Sequence, residues 1–187
     1  MKLIIGLGNI GTHFEKTRHN VGFMAVDAWV QAHQSEWQSK DKFKALVAET
    51  TLHNEKIILI KPTTYYNLSG DATRLVKDFY KIDTQNILVV HDELALPFGT
   101  VRMRQGGSDA GNNGIKSIVA TIGADFARIR VGIANDLLAT HDAADFVLNR
   151  FTPSETEQWP TINHEVMRHI TAFADESQTF FPTSVRV

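Results

Sequence analysis

Apolar residues along the chain follow two rhythms. Short runs rich in Ile, Leu and Val occupy residues 2–7, 45–51, 57–61, 87–90, 101–104 and 127–133, with the length and composition of β-strands. Between them the spacing becomes helical. Val21, Met24, Ala25, Ala28, Trp29 and Ala32 form one stripe behind Asn20, a candidate cap. Leu68, Ala72, Leu75, Val76 and Phe79 form a second, and Ile115, Ile118, Val119 and Ile122 a third that Gly123 ends. Thr152, Pro153 and Glu155 combine a capping box with proline at the first helical position. They open a last helix through Trp159, Ile162, Val166, Ile170 and Phe173, in which Pro160 is expected to kink the first turns.

Strands alternating with helices predict an α/β fold: a three-layer α/β/α sandwich around a mixed, largely parallel sheet. The run 101–104 follows 87–90 with no helical stretch between them, which predicts some antiparallel pairing. No repeat, low-complexity tract or linker divides the chain, so one domain is expected over residues 1–187.

Composition narrows the class. The chain has 187 residues, 43% hydrophobic and 21% charged, and is ordinary globular material. No apolar run approaches the roughly 20 residues of a membrane span, and the short N-terminal run flows straight into glycines, as a first strand does. A soluble, cytoplasmic protein is expected. Cysteine is absent, which excludes disulfides, thiolate metal sites and a cysteine nucleophile. The net charge of −2 gives no sign of a nucleic-acid partner. Net charge does not say where the charges lie: Arg102, Arg104, Lys116, Arg128 and Arg130 cluster mid-chain, which fits a polarised surface and equally a set of scattered, solvated arginines.

Three stretches carry candidate chemistry. GLGNIG (6–11) matches GxGxxG after a strand, but residues 12–19 are polar and no helix starts within the motif, as dinucleotide binding requires. The glycines are better read as a sharp turn that exposes Asn9 at a strand's carboxyl edge. His19 precedes the first helical stripe, and a helix N-terminus favours a neutral, proton-accepting imidazole. His91, Asp92 and Glu93 follow the apolar strand 87–90, at the sheet edge where α/β proteins place ligands. A histidine oriented by a carboxylate can take a proton from water. No GxSxG elbow supplies a serine nucleophile, and no metal-ligand spacing such as HExxH occurs. Asn67 and Asn113 each stand before a helical stripe, as caps or as neutral groups able to grip a peptide. The glycine-rich stretch 106–114 runs into a helix and could cradle an anion.

Taken in order, GLGNIG, TRHNVGF, KPTTYYNLSG, HDELALPFG, RQGGSDAGNNGIKSI, RIRVGI and DFVLNRF resemble the bacterial-type peptidyl-tRNA hydrolase family across most of the chain. The resemblance implies a monomeric α/β hydrolase that uses no metal or organic cofactor and acts on peptidyl-tRNA at its acceptor stem and 3′ end. It makes His19 the general base, Asp92 its orienting partner, and Asn9 the residue that tells blocked from free aminoacyl groups. Phe14, Tyr65, Asn67 and Asn113 match positions that contact the 3′ end and the peptide, and Arg104 and Arg130 match positions that meet tRNA phosphates. Three residues depart from the pattern: Ile10 for a usual proline, Tyr66 for methionine and Asn112 for histidine. The C-terminal end, with Asp175 and Glu176, is not notably basic, and no RNA contact is assigned to it. The alternative from another class is a non-catalytic RNA-binding module on the same scaffold.

Overall fold

The structure is a computed structural model that describes residues 1–175 and 183–187; Glu176 lies outside them. One eight-stranded sheet organises the chain. Its strands are β1 (Lys2–Gly6), β2 (Gln38–Lys40), β3 (Ala45–Leu52), β4 (Glu55–Pro62), β5 (Ile87–Pro97), β6 (Thr100–Gln105), β7 (Ala127–Ala134) and β8 (Ser184–Arg186), in the order β2-β3-β4-β1-β5-β7-β6-β8. The four central strands, β4-β1-β5-β7, run parallel, and antiparallel partners extend both wings. The expected antiparallel step is β6 against β7.

Alternation along β1 divides the core in two. Leu3 and Ile5 face a layer that holds Ala72 and Val76 of α2 (Ser69–Tyr80) with Ile115 and Ile118 of α3 (Asn113–Ile122). Ile4 faces the other layer, where Trp29 of α1 (Val21–Ala32) meets Ile162, Val166 and Ile170 of α5 (Pro153–Ala174). Helices on both faces make the three layers that the sequence pattern predicts.

Several local expectations change. Asn20 does not cap α1 with its side chain, which is used elsewhere. The capping box of α5 forms as expected, with Glu155 N–H donating to Thr152 Oγ1 at 3.2 Å and Thr152 N–H to Glu155 Oε2 at 2.8 Å. Pro160 lies inside α5, and the helix continues through it to Ala174. The strand expected to stop at Val90 extends to Pro97, so His91, Asp92 and Glu93 are strand residues with paired backbone. A short helix, α4 (Ala143–Leu148), follows the loop after β7 with Asp142 as its cap.

The glycines of GLGNIG do mechanical work different from a sharp turn alone. A Cβ on Gly22 of α1 would lie 2.3 Å from the Val90 carbonyl oxygen and 2.4 Å from Leu7 N, and one on Gly6 would lie 2.5 Å from Gly22 O. Gly8 leaves room for the Phe23 ring. Close contact between α1 and the carboxyl ends of β1 and β5 therefore requires these glycines, and it draws the turn before α1 over the end of the sheet.

Candidate active site

Three chain segments meet at the carboxyl ends of the parallel strands: the loop after β1, the single helical turn Arg18–Asn20, and β5. The turn is held from beneath by Arg18, which is 1% exposed. Its Nη2 donates to Glu155 Oε2 at 2.6 Å and its Nη1 to the Arg150 carbonyl at 2.6 Å, while the guanidinium lies 4.5 Å from the centre of the Phe146 ring. A buried arginine held by these two 2.6 Å bonds thus fixes the backbone next to His19.

His19 Nδ1 lies 2.9 Å from Asp92 Oδ2. Asp92 is 3% exposed, and its other oxygen accepts from the Tyr66 hydroxyl at 2.6 Å. Burial pushes its carboxyl up, but the His19 charge and hydrogen bond, the Tyr66 bond and the His91 charge outweigh burial and hold it below the usual carboxylate range. Asp92 is therefore an acceptor at neutral pH, and an acceptor at Oδ2 requires the proton of His19 on Nδ1. In the neutral form of the ring, Nε2 then carries the lone pair. His91, the neighbouring histidine, meets Asp92 at its backbone carbonyl, with Nδ1 at 2.7 Å; it is buried, and burial lowers its pKa despite the raising influence of Asp92 and Glu93. The imidazole that touches the Asp92 carboxylate is therefore that of His19, not His91.

Asn9 is placed with equal definition. The Asn20 side chain clamps its backbone from both sides, accepting from Asn9 N–H at 2.9 Å and donating Nδ2 to the Asn9 carbonyl at 2.9 Å. Asn9 Oδ1 accepts from the Tyr66 backbone N–H at 3.1 Å. With the oxygen committed, the amide orientation is settled, and Nδ2 is a donor with no partner among the described residues.

These groups line a cavity of about 680 Å³. Asn9, His19, Tyr65, Asn67, Asp92 and Asn113 all contribute to its wall, so most of the sequence-derived site is brought together. Tyr65 is 79% exposed, and Asn67 and Asn113 are exposed as well. Phe14 is half-buried in a turn at Thr12–Phe14 and is not among the lining residues. Opposite the polar groups stands an apolar wall of Leu94, Ala143, Ala144, Val147 and Leu148, four of them from α4. Sequence reading did not anticipate it, because a six-residue helix is too short to show a periodic stripe.

Arg104 and Arg130 lie outside the cavity. Antiparallel pairing sets Arg102 opposite Arg130 and Arg104 opposite Arg128, which gathers four arginines on one face of β6 and β7. Arg128 is buried and structural: it donates to the carbonyls of Ser108 and Gly107 at 2.6 and 2.8 Å, and burial with neighbouring Arg104 and Arg130 lowers its pKa to about 10. Its role is to hold the glycine-rich loop. Arg130 donates Nε to Glu93 Oε2 at 2.9 Å, linking the basic face to a residue of the cavity wall. Arg104 is exposed.

Sequence reading also missed how two departures from the family pattern are used. Tyr66 and Asn112 converge on Asp92, with Asn112 Nδ2 3.0 Å from Tyr66 Oη. Neither type of residue signals this from its place in the chain, since the contact joins residues far apart in sequence. Among the described residues no group of His, Asp and Glu side chains forms a metal site, and no helix is long and apolar enough to cross a membrane.

Comparison with known proteins identifies the family of the chain. The family model described as "Peptidyl-tRNA hydrolase" matches residues 3–183. The chain is 43% identical to the peptidyl-tRNA hydrolase of Ligilactobacillus salivarius over 100% of its own length and 99% of the relative's. It is also 43% identical to that of Levilactobacillus brevis over 94% and 92%. The crystal structure of peptidyl-tRNA hydrolase from Acinetobacter baumannii superposes with a TM-score of 0.87 at 29% identity, covering 93% of this chain and 88% of that one. With the model spanning almost the whole chain and the fold shared, the chain belongs to the peptidyl-tRNA hydrolase family.

Proposed function

We propose that His19 is the general base of the ester hydrolysis, and the observation that carries this reading is its 2.9 Å contact with buried Asp92 at the wall of the cavity. His19 Nε2 takes a proton from water as the water oxygen attacks the carbonyl carbon of the ester linking the peptide to the tRNA 3′ ribose. Asp92 stabilises the imidazolium that forms, and does so without itself gaining the proton. Collapse of the tetrahedral intermediate breaks the bond to the ribose oxygen, which leaves with the proton held on Nε2. The products are the peptide's carboxylic acid, which gives its proton to solvent and becomes the carboxylate, and tRNA with an intact 3′ hydroxyl.

Asn9 Nδ2 is the free donor on the same wall, suited to the amide carbonyl of an N-blocked residue or to the developing oxyanion. Tyr65, Asn67 and Asn113 are read as contacts to the 3′ end and the peptide, and Phe14 as a contact at the rim. The apolar wall of α4 receives an apolar part of the substrate. Arg104 of β6 and Arg130 on the same face are read as contacts to acceptor phosphates, with Arg130 also paired to Glu93. The protein is read as one cytoplasmic domain over residues 1–187 that works as a monomer without cofactor.

The test is release of free tRNA from N-acetyl-aminoacyl-tRNA by the purified protein in ¹⁸O-labelled water. One labelled oxygen in the released carboxyl group is expected. Binding of tRNA without release would instead identify an RNA-binding module on this scaffold.

A further inference from the structure

The hydrogen bonds around Asp92 have a direction, and it can be followed atom by atom. At its start, Ile115 N–H donates to Asn112 Oδ1 at 3.0 Å, the N-cap bond of α3. That bond settles the orientation of the Asn112 amide, so its Nδ2 faces away from the helix and donates to Tyr66 Oη at 3.0 Å, with longer contacts to the Asp92 carbonyl at 3.3 Å and to Asp92 Oδ1 at 3.4 Å. A phenol has one proton. Because Tyr66 Oη accepts from Asn112, its own proton goes to Asp92 Oδ1, 2.6 Å away. Oδ2 is then the oxygen left for His19 Nδ1.

We propose that Asn112 and Tyr66 form a directed chain that runs from the N-terminus of α3 to His19, aims the Asp92 carboxylate, and so makes Tyr66 a positioning residue for the base. The inference rests on the reading of His19 as that base. Three further contacts show that Tyr66 is held for this task. Its ring stacks on the His19 imidazole, with centroids 3.5 Å apart and planes 17° from parallel. Its backbone N–H orients Asn9. Gly114 at the start of α3 leaves space for the ring, since a Cβ there would lie 2.5 Å from Tyr66 Cε1. Burial, the Asp92 charge and the bond to Asp92 keep the phenol pKa well above 10, so Tyr66 is a donor throughout the working range.

The hydroxyl has an electrostatic consequence as well. A carboxylate that accepts a short bond from a phenol has less negative charge to offer a neighbouring imidazolium. Removing the hydroxyl would return negative charge to the Asp92 oxygens that face His19. The other charged groups near the dyad are His91 and Glu93 on β5, and Glu93 is paired with Arg130 from β7. Arg18 is turned away onto Glu155.

Tyr66→Phe tests the proposal, because it keeps the stacked ring and the volume and removes only the hydroxyl. With N-acetyl-aminoacyl-tRNA as substrate, kcat is expected to fall about ten-fold, the scale of one charged hydrogen bond, while KM stays within about two-fold. The acidic limb of the kcat/KM profile should move upward by roughly half a pH unit, as the carboxylate regains charge for the imidazolium. Asn112→Ser keeps a capping oxygen but lacks the amide donor, and should shift both quantities the same way by less. Because Asn112 acts mainly through Tyr66 and only at 3.4 Å on Asp92 Oδ1 itself, the effects in the double variant should be clearly less than multiplicative. Thermal melts accompany each variant, and if Tyr66→Phe proves poorly folded, Asn112→Ser alone decides through the same limb shift. Wild-type kcat with an unmoved acidic limb overturns the chain, as do a loss confined to KM or multiplicative effects in the double variant. Failure of the wild-type protein to release tRNA would instead overturn the hydrolytic reading on which the chain depends.

Discussion

Replacing Arg18 by methionine removes the charge that holds the His19 turn but keeps most of the side-chain length. Arg18→Met deletes the 2.6 Å bond to Glu155, the 2.6 Å bond to the Arg150 carbonyl and the stacking on Phe146. It also strands Glu155, which is only 5% exposed, although Asn135 Nδ2 and the Thr152 N–H still donate to it. Breaking a buried pair from one side usually costs about 3–5 kcal/mol, because the remaining charge stays desolvated. At about 2–4 °C per kcal/mol for a chain of this size, the melting temperature should drop on the order of 10 °C. Glu155→Gln keeps an acceptor for Arg18 and for the capping box, so its loss should be smaller, about 1–2 kcal/mol. Urea unfolding of both variants gives the energies, and the hydrolysis assay follows kcat alongside. Because the turn carries His19, kcat in Arg18→Met should fall even at temperatures where the variant is folded. A loss below about 1 kcal/mol with wild-type kcat would refute the reasoning, since Arg18 would then be replaceable filler.

Two further predictions concern the substrate. Asn9→Asp places a carboxylate where an amide donor faces the cavity, so the preference for N-blocked over free aminoacyl-tRNA, which can reach about 10⁴-fold at a site built for a polar group, should erode there and in Asn9→Ala; unchanged kcat/KM ratios would show that Asn9 only shapes the loop. Arg104→Ala should weaken tRNA binding and lower the salt slope by about 1, with little effect on a substrate trimmed to the 3′ end. Arg130→Ala should slow both substrates because it also strands buried Glu93, and equal effects of the two variants on the trimmed substrate would contradict this division.

The layers of the fold were legible because they are written in local periodicity. Ile4 and Leu3 alternate between the two core layers, and the Leu68–Phe79 and Ile115–Ile122 stripes lie where α2 and α3 form. Elements that depend on neighbours were not legible. β2 is Gln38, Ser39 and Lys40, polar residues that become a strand only because β3 offers an edge. Extension of β5 through His91, Asp92 and Glu93 needs the β7 backbone beside it, which no apolar pattern announces. The site shows the same division. His19, Asp92 and Asn9 could be singled out by residue type at the ends of elements, whereas Asn20 looked like a helix cap and proves to be a clamp on Asn9. Tyr66 and Asn112 stood out only as departures, because their shared contact with Asp92 joins a turn, a helix cap and a strand. Arginine alternation in 102–104 and 128–130 was visible, but the register that faces Arg102 to Arg130 and Arg104 to Arg128 was not.

The central claim is that His19, oriented by Asp92, takes the proton from the attacking water. Single-turnover hydrolysis of N-acetyl-aminoacyl-tRNA, with enzyme in excess and tRNA binding measured in parallel, tests it most directly. His19→Ala should lower the rate by about 10²–10⁴-fold or more, the usual worth of a positioned base. Asp92→Asn should also slow it, since an amide does not stabilise the imidazolium, and both variants should bind tRNA as the wild type does. A His19→Ala protein that hydrolyses at near wild-type rate would place the base elsewhere and contradict the account.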